Sequence, residues 1–109
     1  MMKCPVSSRT WLKNLMLLLS LSSTQVLAHY PTLDCAKQAQ LVHCKAGYSD
    51  GTAAQGAIIR LYSYDEELLF SAKADQHSEV SFVIPKTEYF ISFNPGHDRP
   101  AEVDYIELD

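Results

Sequence analysis

Between Gln40 and Leu108 the apolar residues come in six short runs, each closed by turn-forming residues, and this punctuation constrains the fold more than any other feature of the chain. Gln40–Lys45, Ala57–Tyr62, Leu68–Lys73, Glu79–Ile84, Glu88–Phe93 and Ala101–Leu108 are too short for helices and alternate in polarity. With a side-chain period of two, Ile59 and Leu61 oppose Arg60 and Tyr62, and Val80, Phe82 and Ile84 oppose Glu79, Ser81 and Val83. Tyr89, Ile91 and Phe93 align in the same way, as do Ala101, Val103 and Tyr105. Breakers lie between the runs: Asp50-Gly51, Asp65-Glu66-Glu67, Asp75-Gln76-His77-Ser78, Pro85-Lys86, and Asn94 to Pro100. Such spacing predicts an all-β fold, a small antiparallel β-sandwich of six strands, with a seventh edge strand to be sought near the N-terminus. Pro31 interrupts the stretch from His29 to Lys37, which reads as irregular, and Asp34–Gln40 offers one helical turn at most.

The first 28 residues have a different character. Lys3, Arg9 and Lys13 precede an apolar centre at Leu15–Leu21, and Val26-Leu27-Ala28 places short side chains where a signal peptidase cuts. The apolar centre falls short of the ~20 residues that span a bilayer. The expectation is a cleavable signal peptide, 1–28, then a single domain, 29–109, in the periplasm or secreted, with no membrane insertion after cleavage. Asp34 directly before Cys35 does not suit a lipoprotein cleavage site.

Export would put Cys35 and Cys44 in an oxidising compartment, where an even pair forms a disulfide. Closing that loop stabilises by roughly 2.5–3 kcal/mol on the chain-entropy model, a useful increment for a domain with so small a core. The alternative, a zinc-binding thiolate pair, finds no support in an eight-residue gap, which matches none of the usual zinc spacings.

Trimming also changes the charge. Of nine Lys and Arg, six remain against all thirteen Asp and Glu, a net charge of −7. That balance opposes binding to nucleic acid or to an anionic membrane surface. Nor does the chain carry a nucleophile elbow or another context that would activate a serine, so it reads as no enzyme.

The stretch from Tyr48 to Phe82 resembles the carboxypeptidase-regulatory-like, or transthyretin-like, β-sandwich family. That pattern has Asp-Gly, a short gap, Gly-Ala before an apolar strand, and later Thr-Asp-x-x-Gly before an aromatic-bearing strand. Here it is met by Asp50-Gly51, Gly56-Ala57, and Ala74 to Ser78 leading into Val80 and Phe82. The chain departs from it at Ala54, where proline is common, at Ala74 for threonine and at Ser78 for glycine. Pro95-Gly96-His97 followed by Ala101-Glu102-Val103 is similar to exported accessory proteins of nickel and cobalt uptake, which carry a Gly-His corner before the last strand. The resemblance implies a sandwich that works beside a membrane transporter component or another exported protein, and implies no enzyme.

All four histidines survive trimming. Cleavage after Ala28 would make His29 the first residue, and its α-amine and ring nitrogen then close a six-membered chelate that suits Cu(II) or Ni(II). Against this stands a loose terminus with an incidental histidine. His77 and His97 lie in turns that join consecutive strands and can share one end of a sandwich; with His29 they are the candidate ligands for a divalent transition metal, nickel, cobalt or copper. His43 lies mid-strand beside Cys44. Tyr62 and Tyr64, opposite Ile59 and Leu61, are the candidate partner surface. Two readings therefore stand: a metal-binding accessory protein, and a metal-free interaction module.

Overall fold

The computed structural model describes residues 29–109; the expected signal peptide and Cys4 lie outside the described residues. Seven strands form two antiparallel sheets: β1 (Pro31–Gln38), β2 (Leu41–Tyr48), β3 (Ile58–Ser63), β4 (Leu68–Lys73), β5 (Glu79–Val83), β6 (Tyr89–Phe93) and β7 (Ala101–Asp104). One sheet has the order β1-β2-β5 and the other β4-β3-β6-β7. The all-β sandwich expected from the punctuation is the fold.

The strand faces follow the period of two. Val42, Cys44 and Ala46 from β2 and Val80 and Phe82 from β5 meet Ile59, Leu61, Tyr89, Ile91, Phe93 and Val103 from the other sheet, all buried. Glu79, Ser81 and Val83 lie on the outer face and are exposed, as their alternation requires. Burying each large aliphatic or aromatic side chain contributes about 1.5–3 kcal/mol, so the six most enclosed, Phe82, Phe93, Ile59, Leu61, Ile91 and Val42, dominate the core.

Two segments differ from their sequence reading. Residues 34–40 make no helical turn: β1 runs to Gln38 and reverses through Ala39, whose φ of 57° is left-handed, so that Gln38 pairs with Leu41. Alanine carries no signal for that conformation, and this is why the seventh strand was illegible. Its register is fixed instead by the Cys35–Cys44 disulfide, which joins residues directly opposite each other. The last strand is also shorter than its alternation suggests. It stops at Asp104, which caps a 3-10 turn, Tyr105–Glu107. Asp104 accepts from the Ile106 N–H, and Glu107 reaches back to the Asp104 N–H at 2.9 Å, a capping box that draws the chain out of the sheet.

Turn chemistry sets the remaining geometry. Gly51 has φ 90° and Gly56 φ 81°, conformations that side chains resist. Around Gly51 the loop closes on itself, with Tyr48 N–H bonded to the Thr52 carbonyl and Thr52 N–H to Asp50 Oδ1, both at 3.0 Å.

Candidate functional site

The start of β1, the β2–β3 loop, the β4–β5 turn and the β6–β7 loop all gather at one end of the sandwich. The residues leading into β1 are tied down there. Tyr30 N–H donates to Ser49 Oγ at 3.1 Å, and Ser49 N–H returns a bond to the Tyr30 carbonyl at 2.9 Å. His29 is thereby held over the Asp-Gly turn, where its Nδ1 lies 3.2 Å from Asp50 Oδ2. In the structure His29 is held in place by these contacts.

His29, Tyr48, Asp50, Thr52 and His97 line an open hollow of 210 Å³. The β6–β7 loop brings His97 there through a tight corner: Asn94 Oδ1 accepts from Gly96 N–H at 2.9 Å, and Gly96 takes φ 95°. Asp50 is held below its ordinary carboxylate pKa, chiefly by hydrogen bonds from Thr52 and also by the charge of His29. An anionic carboxylate, an imidazole and a second imidazole in one hollow make a cation-attracting surface.

His77 does not line this hollow. It is exposed on the β4–β5 turn, where its backbone N–H, not its ring, is engaged, donating to Asp75 Oδ1 at 2.7 Å. His43 is exposed on the outer face of the three-stranded sheet, with Nδ1 2.7 Å from the hydroxyl of Ser81, its register partner. That serine–histidine pair lies on a sheet face, and among the described residues no acid orients the other ring nitrogen, so the pair lacks the third member of a hydrolytic triad. Among the described residues no three His, Cys, Asp or Glu side chains come together to hold a metal ion.

The tyrosine surface divides in two. Tyr62 stacks on Phe90, its register partner on β6, with ring centroids 5.4 Å apart. Tyr64 is exposed, donates to Asp104 Oδ1 at 2.6 Å, and meets Tyr105 edge-on. That hydrogen bond pushes its phenol pKa well up, with burial and neighbouring acids adding to the effect. Beside these rings lies a cleft of 670 Å³ lined by Tyr64, Phe90, Glu66, Glu102, Asp104 and Glu107. Sequence reasoning missed this cleft, because its residues come from the β3–β4 turn, β6, β7 and the turn after it; the Asp104-x-x-Glu107 capping pattern was the one available signal.

No known family, no curated protein and no solved structure matches this chain.

Proposed function

We propose that the protein is exported, loses residues 1–28, and serves in the periplasm as a non-catalytic accessory that binds a divalent transition metal beside a membrane transporter. The observation that carries this reading is the seat of His29 against Asp50 at 3.2 Å. Two donors each about 2.0–2.2 Å from one cation, at 90–109° to each other, stand about 2.8–3.6 Å apart, so Nδ1 and the carboxylate are spaced as adjacent ligands. In the metal-free protein the same separation serves an ion pair. Cleavage after Ala28 adds the α-amine, which closes a six-membered ring with Nδ1. Amine, imidazole and carboxylate together favour Cu(II) and Ni(II) over harder cations, and His97 lines the same hollow. The amine, with a pKa of ~7.7–8, loses its proton on binding at little cost near neutral pH.

Calorimetric titration of the processed protein with Cu(II), Ni(II) and Co(II) tests the reading. Binding tighter than about 100 µM, roughly −5.5 kcal/mol, is expected, and an otherwise identical form that keeps Ala28 in front of His29 is expected to lose it. Equal binding by both forms would remove the amine from the site. No binding by either removes the metal.

A second reading rests on the aromatic and acidic cleft by Tyr64. A metal-free interaction module would use its rings and four carboxylates to take a cationic segment of another exported protein. It predicts that Tyr64→Ala abolishes partner capture while His29→Ala does not.

A further inference from the structure

The outermost strand of the four-stranded sheet is β4, and every one of its residues except Ala72 is exposed. Leu68, Leu69 and Phe70 stand in a row at 51%, 38% and 43% exposure, beside Val83 at 70% on β5, itself an edge strand. Leu69, Phe70, Val83, Ile84 and Lys86 line an open gap of 410 Å³ between the two sheet edges. An apolar edge of this kind is a template for another strand.

The backbone of β4 is set for pairing. Ala74 N–H donates to the Ala57 carbonyl at one end of the ladder and Ser63 N–H to the Glu67 carbonyl at the other. In the alternation of an antiparallel pair, Ala72 and Phe70 then bond inward to Ile59 and Leu61. The N–H and C=O groups of Ser71 and Lys73 point away from β3, where the sheet ends.

We propose that two copies of this chain pair β4 to β4, antiparallel about a two-fold axis at Phe70, into one continuous eight-stranded sheet. The charges select this occupant. Glu66 and Glu67 lie at the start of β4 and Lys73 at its end, so antiparallel self-pairing sets Lys73 of each copy near Glu67 of the other. Parallel pairing would set like charge on like. A domain with thirteen acids and six bases repels its copies over most of its surface, yet two of those six, Lys73 and Lys86, border this edge. With the axis at Phe70 the two Phe70 rings face each other and Ser71 lies opposite Leu69 of the second copy. The bulge between Leu61 and Tyr62 that disturbs β4 around Leu68–Leu69 confines the new ladder to a short span, so the dimer is weak and concentration-dependent.

Sedimentation equilibrium of the processed, oxidised protein in metal-free buffer, from about 1 µM to 1 mM, reads the association. A monomer–dimer equilibrium is expected. Lys73→Glu, which places acid against acid at both ends, is expected to weaken it at least about tenfold, and Glu67→Lys on that background to restore it. Ser71→Pro removes an outward N–H while sparing the bonds to β3, and is expected to leave a folded monomer by circular dichroism. A monomer at every concentration overturns the proposal. So does a dimer that Lys73→Glu leaves unchanged, or one weakened by it that Glu67→Lys does not restore.

Discussion

Ser78 is the buried hydrogen-bond acceptor for the backbone of Ala54, 24 residues away: its Oγ takes the Ala54 N–H at 3.0 Å. Ser78 itself sits at φ 65°, in the left-handed region. The resemblance expected from the sequence would place proline at 54 and glycine at 78. A proline at 54 would have no N–H to donate, and a glycine at 78 no oxygen to accept it. Ala54 and Ser78 are the two ends of one bond, and they tie the β2–β3 loop beneath the His29 seat to the β4–β5 turn.

That relationship yields a double-mutant cycle. Ser78→Gly relaxes the backbone but strands a buried N–H, and is expected to cost about 1–2 kcal/mol in urea unfolding. Ala54→Pro on that background removes the stranded donor. The double variant is expected to lose less than the sum of the two single changes, by about 1 kcal/mol. Simple additivity would show that the bond contributes nothing specific.

The disulfide makes a second prediction. Cys35 and Cys44 face each other across β1 and β2, and the hairpin between them turns through Ala39, which resists its own φ. Replacing both cysteines by serine is expected to lower stability by about 2.5–3 kcal/mol and to speed amide exchange in β1 before the rest of the sheet. Uniform exchange across both sheets would mean that the bridge does not specifically hold the edge strand.

Here the limits of the sequence become physical. Six of the seven strands were legible because alternation and turn residues agreed, and Val80, Phe82, Ile59 and Leu61 face the core as their spacing required. The first strand was hidden by an alanine at a left-handed turn. Its one readable clue was symmetry, since Cys35 and Cys44 lie equidistant from a two-residue reversal at Ala39–Gln40. The final strand was overextended because Tyr105 continues the alternation, while the Asp104–Glu107 capping box, a local competitor, ends it. At the candidate site, turn order put His77 and His97 at one end of the sandwich and did not place His29 there. Nor did it give Asp50 as the partner of His29, since the Tyr30–Ser49 bonds that set their distance depend on register.

A core truncation separates packing from staple. Phe82 is 1% exposed and meets Phe70 edge-on at 5.1 Å. Phe82→Ala is expected to cost about 3–5 kcal/mol. Measured in the reduced and oxidised proteins, that cost is expected to be the same, because the bridge acts on the opposite side of β2.

Acid stability supplies the last test. Asp75 Oδ1 accepts the N–H groups of Glu79 at 3.0 Å and His77 at 2.7 Å, and these bonds hold its carboxyl below the ordinary value of 3.8. A carboxyl whose folded pKa is depressed contributes stability above its unfolded value and loses that contribution as pH falls through the folded one. Asp75→Asn keeps an oxygen acceptor but has no charge to strengthen the bonds. Wild type is therefore expected to be the more stable of the two at pH 6, with the difference shrinking below the ordinary carboxylate value and vanishing once the folded carboxyl is protonated. Thermal unfolding of both proteins between pH 6 and the acid limit of folding reads this directly. A gap that stays constant across that range would mean that the turn is held by Oδ1 as an acceptor alone, with no contribution from its charge.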